Sequence, residues 1–334
     1  MTGARERVNG LITACWSTQV IHVAVQMGLP ERLAAGERDS RALAVALNVD
    51  ADGLLRLMRA LAALGLVRHV DEHQFELTDD GATLCSTHPQ SLRGVALHWG
   101  ERQWRSFGLL GDAVRTGRSQ VQSGSQGFAD LQQDAAQAQV FNLAMAEQSL
   151  RIGEAAARAY DFSRFNSVLD VGGGYGAVLV ALLRAFPGLR GDSFDLPGVA
   201  AGARAYLQGA GVADRGGFVS GSFFEAVPGG YDCQVLKYIV HDWDDDHAQR
   251  LLACCAAALG SEGVLVLLEQ VLPERITPDP AVAGMVRGDL IMLNIGGRER
   301  TASQYRDLLA AAGLRLTRIV PTDTAFSVIE AQRM

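Results

Sequence analysis

The chain has 334 residues, 48% of them apolar and 20% charged, with a net charge of −7 and a pI near 5.5. This ordinary globular composition carries no global basic excess for nucleic acid or an anionic membrane surface. No uninterrupted apolar run of 18 residues is read, and the first residues lead into an amphipathic stretch rather than a signal-peptide core, so a cytoplasmic location is expected. The length exceeds one small core, and two domains are the default. The five cysteines (Cys15, Cys85, Cys233, Cys254 and Cys255) lack C-x-x-C spacing and read as buried thiols in a reducing compartment.

In chain order, residues 11–26 carry apolar side chains at helical spacing and stop at Gly28-Leu-Pro30. Asp39 and Ser40 precede an Ala/Leu-rich helix reaching Leu47. Asp50 caps a second helix that ends at Leu64, before Gly65. Residues 66–70 and 74–77, joined by a turn at 71–73, form a hairpin. Helix, helix, hairpin is a winged-helix pattern, and it leaves two roles open. A DNA-binding regulator would need a phosphate-reading stripe. Arg38, Arg41, Arg56, Arg59 and Arg68 are instead set against Asp39, Asp50 and Asp52, which favours a structural or dimerising role. Residues 117–127, rich in Ser, Gln and Gly, read as an exposed loop, and a helical run over 128–160 follows.

From Val168 onward, short apolar strands at 168–171, 192–194, 217–220, 232–238, 264–269, 315–320 and 326–331 alternate with helices. Such alternation predicts an α/β fold with a mostly parallel sheet covered on both faces. The link 321–325 is too short for a crossover helix, so the last strand runs antiparallel to its neighbour. Residues 1–97 are read as a helical N-terminal domain, 98–160 as a helical linker, and 161–334 as a nucleotide-binding domain.

Residues 167–177 read S-V-L-D-V-G-G-G-Y-G-A, a strand running into a glycine loop and then a helix. Glycines let the backbone turn tightly and approach a ligand, and the free N–H groups of the helix start face it. Two cofactors compete for this loop. Gly172, Gly174 and Ala177 satisfy the dinucleotide fingerprint, and Asp195 supplies the ribose-binding acid about 20 residues on. Both NAD and S-adenosylmethionine (SAM) carry such a ribose. Asp170 tilts the choice to SAM, because a carboxylate there repels a pyrophosphate and suits a cationic ligand.

The strand ending near Val240 runs into His241-Asp-Trp-Asp-Asp-Asp-His247. Ligands of open α/β sheets sit beyond the carboxyl ends of strands, so His241 is placed near the cofactor. A histidine can take a proton at neutral pH. Glu269 ends the next strand and Glu299 lies in Gly296-Gly-Arg-Glu-Arg-Thr301; either carboxylate could fix the histidine's tautomer. Asp244, Asp245 and Asp246 read as helix-opening acids, with a metal cluster shared with Asp242, His241 and His247 as the lesser alternative.

Together these segments resemble the SAM-dependent small-molecule O-methyltransferases of the plant caffeic-acid/hydroxyindole type, a family with bacterial members in secondary metabolism that include phenazine methyltransferases. The resemblance rests on five segments in order: 170–176, 194–197, 221–224, 236–243 and 296–301. It implies a Rossmann-like methyltransferase domain, with the helical, winged-helix-like N-terminal part mediating dimerisation. It makes His241 the catalytic base, flanked and oriented by Glu269 and Glu299, with Asp242 as support. Asp170, Gly172, Gly173, Gly174, Asp195, Leu196, Ser222, Phe223 and Lys237 fall on the SAM site. Phe141, Asn142 and Met145 fall on one acceptor-lining helix, and Met285, Met292 and Asn294 on the other. Implied partners are a small aromatic acceptor and a second copy bound through the N-terminal helices, with no nucleic acid and no membrane. S-adenosylhomocysteine is the product of the cofactor, and no metal is required. Methylation of a heterocycle nitrogen, as in a phenazine, is the alternative outcome. Two departures stand out: Ser222 occupies a position where the family usually has Asp, and the 289–297 segment is shorter than in plant relatives.

Overall fold

Local capping fixes the helices of the first compact unit, Met1–Gly108. Asp39 accepts hydrogen bonds from the N–H groups of Arg41 and Ala42 to open helix Ser40–Leu47, and Asp50 accepts from Gly53 N–H to open Ala51–Ala63. Strands β1 (Val67–Asp71) and β2 (Gln74–Leu77) pair antiparallel. Leu29, Leu43, Leu54, Met58, Leu61 and Phe75 bury together as the unit's core. The first helix differs from the sequence reading. It begins at Ala4 and ends at Thr13, and a second runs over Cys15–Gln26. Taken together, Ala4–Gln26 is long and apolar enough to cross a membrane by length and mean composition, although polar residues interrupt it and no continuous apolar run of 18 residues occurs there. Val8, Leu11, Ile12 and Trp16 are exposed at helical spacing along it. Cys15 is exposed as well and Cys254 half-buried, so only Cys85, Cys233 and Cys255 are the buried thiols expected.

Connection length sets the pairing in the second unit, Leu109–Met334. The computed structural model describes residues 3–119 and 135–334; the proposed loop beyond Ser119 and the start of the 128–160 helical run lie outside them. Strands β3 (Ser167–Val171), β4 (Arg190–Asp195), β5 (Gly216–Ser220), β6 (Cys233–Lys237) and β7 (Val264–Leu272) are parallel. Helices Ala177–Ala185, Ala200–Gly209 and Asp245–Ala258 fill the crossovers β3–β4, β4–β5 and β6–β7. β8 (Arg300–Thr301) pairs with the last two residues of β7. Between β9 (Leu314–Pro321) and β10 (Phe326–Arg333) there is no room for a helix, so β10 turns back and inserts antiparallel between β7 and β9. The order is β5-β4-β3-β6-β7-β10-β9. Alternation along the strands splits the core in two. Val168, Val235, Val266 and Val328 join one buried cluster; Leu169, Leu236, Leu267 and Ile329 join the other. Strand order reverses between β3 and β6, so their carboxyl ends form the switch point where ligands bind.

One buried carboxylate ties β10 to its neighbours. Glu330 accepts from Tyr160 Oη at 2.5 Å, Thr317 Oγ1 at 2.6 Å, Arg164 Nη2 at 2.6 Å and Arg318 Nη2 at 2.9 Å. Burial alone would raise its pKa, but these hydrogen bonds outweigh it and hold the group down at about 2. The folded state therefore gains stability from Glu330 above its ordinary pKa of 4.5, and loses it as pH falls toward about 2. Glu330→Gln is expected to cost about 2 kcal/mol, or roughly 4–8 °C in Tm at pH 7. The gap to wild type should narrow in melts taken between pH 5 and 3; a gap independent of pH would remove the carboxylate's charge from the account.

Candidate active site

β6 stops at Lys237, one residue before the sequence reading, because Tyr238 adopts a left-handed backbone with φ of 54°. That conformation costs a bulky residue of order 1–3 kcal/mol. The chain then makes a single 3₁₀ turn, Val240–Asp242, which presents His241. Two carboxylates hold this turn in different ways. Glu299 Oε1 meets His241 Nδ1 at 2.9 Å, both side chains being buried. Glu269, fully buried at the end of β7's core, does not bond the ring; its Oε1 accepts the backbone N–H groups of Ile239 and Val240 at 3.1 and 2.9 Å. Asp242 Oδ1 lies 3.3 Å from His241 Nε2. The Tyr238 ring stacks on the imidazole with centroids 3.9 Å apart and planes 4° apart.

The segment 296–301 closes on this turn from above. Gly296, at φ of 100°, ends helix Pro280–Ile295. At Gly297 a Cβ would come within 2.0 Å of the His241 carbonyl oxygen, so a side chain is excluded there. Arg298 N–H donates to that same carbonyl at 2.8 Å. Arg300, only 1% exposed, donates to the carbonyls of Val240 and Trp243 at 3.0 and 2.9 Å, and to Asp245 Oδ1 at 2.7 Å. Tyr238, Gly297 and Arg300 were given no role by sequence reasoning. The GGRERT segment marked the place, but a buried arginine wrapping a turn nearly sixty residues earlier leaves no local signal.

Charge in this group is set by burial against mutual attraction. Burial opposes the charged form of His241, but Asp242, the Glu299 hydrogen bond and the charge of Glu269 outweigh it and raise its pKa to about 9. Burial raises Glu269 to about 7 and also raises Asp242. Burial lowers Lys237 to about 8 against the pull of Glu269, Asp242 and Asp170. One ligand-type atom from each of His241, Glu269 and Glu299 lies within 4.8 Å of the others. Zinc with N and O ligands at about 2.0–2.2 Å would draw them to roughly 3.3 Å apart, while here the closest pair shares a hydrogen bond. The alternative cluster around His247 disperses: Asp244 caps helix Asp245–Ala258 through His247 N–H, and Asp245 pairs with Arg298 and Arg300.

The glycine turn lies beside this group. A Cβ on Gly172 would meet Ile239, two residues before His241, at 2.6 Å, and a Cβ on Gly173 would meet the Asp170 carboxyl at 2.6 Å. Gly174 faces open space, with no atom within 4 Å of a would-be Cβ. Its N–H donates to Asp195 Oδ2 at 2.8 Å, and Leu196 N–H to Oδ1 at 2.7 Å, which fixes the Asp195 carboxylate while Leu196 stays exposed. Phe223, its ring 3.5 Å from the same would-be Gly172 Cβ, packs edge-on to Phe224; Ser222 opens that turn by accepting from Glu225 N–H. Asp170 is buried, its Oδ1 has no hydrogen-bond partner, and burial raises its pKa to about 7. An orphaned buried carboxylate beside an open glycine turn fits a cationic ligand and not a pyrophosphate.

Lys237 Nζ reaches Ser149 Oγ at 3.0 Å, and Ser149 Oγ donates to the Met145 carbonyl, so helix Ala135–Ala159 is tied to β6 one turn from Met145. Phe141 and Asn142 belong to that helix, with side chains outside the described residues. In helix Pro280–Ile295, Met285 is half-buried, and Met292 and Asn294 are buried. Asp289 Oδ1 of the same helix accepts Glu299 N–H at 2.9 Å. In the N-terminal unit, Arg38 and Arg68 both pair with Glu76, and Arg56 pairs with Asp52. Those pairs leave less free charge for a phosphate backbone.

This fold, with an acid-braced glycine turn at its switch point, is that of a SAM-dependent methyltransferase. Residues 107–315 match the family described as O-methyltransferase domain, and residues 9–87 match the O-methyltransferase dimerisation domain. The chain belongs to this O-methyltransferase family, and SAM is its cofactor. It is 36% identical to a phenazine O-methyltransferase of Lysobacter antibioticus over 324 residues, covering 96% of this chain and 94% of that one. It is 35% identical to a mitomycin biosynthesis 6-O-methyltransferase of Streptomyces lavendulae, covering 95% and 91%. A solved O-methyltransferase of neocarzinostatin biosynthesis, in complex with SAM and 2-hydroxy-5-methyl naphthoic acid, superposes with a TM-score of 0.82 at 31% identity, covering 95% and 96%.

Proposed function

We propose that the protein methylates a hydroxyl group of a small, flat aromatic acceptor, with His241 as the general base. The observation that carries this reading is the packing of the His241 turn against the glycine turn: base and cofactor cradle share the contact between Ile239 and Gly172. Asp170, Gly172, Gly173, Gly174, Asp195, Leu196, Ser222, Phe223 and Lys237 would hold the cofactor. When bound, SAM supplies a sulfonium-activated methyl group. A phenol with an ordinary pKa near 10 is a weak nucleophile at neutral pH. Glu299 accepts Nδ1–H of His241, which makes Nε2, 3.3 Å from Asp242 Oδ1, the nitrogen that takes the phenolic proton. Asp242 and Glu299 then stabilise the imidazolium, and Glu269 keeps the turn's backbone in place. Met145, Met285, Met292 and Asn294, with Phe141 and Asn142, would line the acceptor pocket on the helices that flank β6 and β7.

The homodimer belongs to the same reading. Exposed Val8, Leu11, Ile12 and Trp16 form a stripe that a second copy would cover. Five free thiols suit a reducing compartment, the cytoplasm.

A labelled-SAM screen against phenols, hydroxynaphthoates and hydroxyphenazines tests the reaction, with and without a chelator. Label transferred to a hydroxyl oxygen, unaffected by chelation, is the expected result; label found only on nitrogen, or a strict need for a divalent metal, would overturn it. Asp195→Ala is expected to raise the SAM dissociation constant roughly 10- to 100-fold, through loss of two charge-assisted ribose hydrogen bonds. Calorimetry with S-adenosylhomocysteine checks this, and unchanged affinity would remove Asp195 from the site.

A further inference from the structure

We propose that Tyr238 is the positioning residue of the general base: its ring is a platform that sets the plane of the His241 imidazole and stabilises the ring when it carries a proton. Three observations meet at this side chain. Tyr238 is one of two non-glycine residues with positive φ among the described residues, and the other is Asn48, a residue type that adopts this conformation readily. A glycine or asparagine would make the same turn with less strain, so the turn alone does not call for a tyrosine. The strained residue stacks on the proposed base itself, at 3.9 Å and 4°. Neutral aromatic pairs avoid such close face-to-face stacking and settle offset or edge-on, whereas a cation is drawn to the face of a ring.

The platform is itself clamped. Tyr238 N–H donates to the Leu268 carbonyl at 3.2 Å, Gln270 Nε2 donates to the tyrosine hydroxyl, and Phe326 packs edge-on with centroids 4.5 Å apart. Gln270 and Leu268 flank Glu269 on β7, so the strand that braces the turn's backbone also braces its aromatic ring. The left-handed residue is what folds the ring at position 238 back beneath the imidazole at 241. Burial and the charges of Glu299 and Glu269 hold the tyrosine hydroxyl well above its usual range, so the platform stays neutral.

The inference rests on the reading of His241 as the base, and its test separates the two. The charged groups acting on His241 are Asp242 beside it, Glu269 from β7 and Glu299 from the closing segment. Around these lie Lys237 of β6, coupled to Asp242 and Glu269, Arg300 on the Val240 carbonyl, Asp289 of helix Pro280–Ile295 on the Glu299 amide, and Tyr305 of helix Ala302–Ala311, coupled to Glu269 and Glu299. All are retained in Tyr238→Phe and Tyr238→Asn. Phenylalanine keeps the face; asparagine tolerates the left-handed turn and removes the face.

Full-length enzyme with bound S-adenosylhomocysteine, labelled with 13C at histidine, gives a readable titration because the chain has only seven histidines. In Tyr238→Asn the His241 titration is expected to fall by about half to one pH unit. The pH-independent kcat is expected to fall about tenfold or more at unchanged cofactor affinity. Tyr238→Phe should restore the titration and come within about threefold of the wild-type kcat. Tyr238→Asn with wild-type titration and kcat would overturn the proposal. So would a Phe variant as impaired as the Asn variant, or an Asn variant that lost cofactor binding along with turnover, which marks a packing role. The histidine titration reads the stacking whether or not His241 is the base; turnover of His241→Ala reads the base alone.

Discussion

Replacing His241 with alanine is expected to lower kcat by roughly 10²- to 10⁴-fold while SAM and S-adenosylhomocysteine affinity stays within about twofold, since general-base catalysis contributes in that range and the proposed cofactor contacts, Asp170 and Lys237 apart, lie at or after the ends of β3, β4 and β5. The separation is clean because the glycine turn and Asp195 are braced by their own backbone, Gly174 and Leu196, rather than by the imidazole. Product formation with labelled SAM and calorimetry with S-adenosylhomocysteine measure the two halves. Full turnover in the variant would remove His241 from the chemistry. Loss of cofactor binding along with activity would instead make the histidine a support for the turn.

The second large effect is expected at Glu299. A base must be deprotonated, and His241 is held up to about 9, so wild-type kcat/KM should rise with pH across the neutral range and level off only near that value. Glu299→Gln removes one of the negative charges that raise it, so the acid limb should move to lower pH. The plateau should nevertheless fall by about 10²-fold or more. A glutamine amide can turn its NH₂ toward Nδ1, which sends the ring proton to Nε2 and blocks the nitrogen that must accept. Lower pKa and lower plateau together are the signature; a lowered plateau with the limb unmoved would mean that Glu299 acts by shape and not by charge.

Much of the fold is legible in the sequence for a physical reason. The central strands β3, β6 and β7 are mostly apolar runs, and the caps at Asp39, Asp50 and Asp244 bond their own helices within three residues. The reversal of β10 follows from a link too short for a helix. What escapes is long-range or small. β8 is two residues long and has no period to detect. Helix Ala4–Thr13 buries no residue within one chain, and its polar first turn, Arg5-Glu6-Arg7, hid its start. At the site, the motif order brings His241 and Glu299 together on paper. It cannot show that Glu269 grips backbone N–H groups, that Arg300 spans the turn's two carbonyls, or that Tyr238 is left-handed. Each of those depends on where a distant segment of chain arrives.

The close approach at Gly297 bears on how this enzyme could be re-engineered. The helix Pro280–Ile295 ends two residues before the backbone that touches the His241 carbonyl, and it holds the Glu299 amide through Asp289. A pocket helix exchanged for that of a relative would therefore carry the base with it, and a graft that shifts the helix by a fraction of an ångström would detune proton removal even if the new acceptor fitted well. Changing what this scaffold methylates calls for transplanting residues 280–301 as one block, with the turn they clasp, rather than for swapping side chains along the pocket wall.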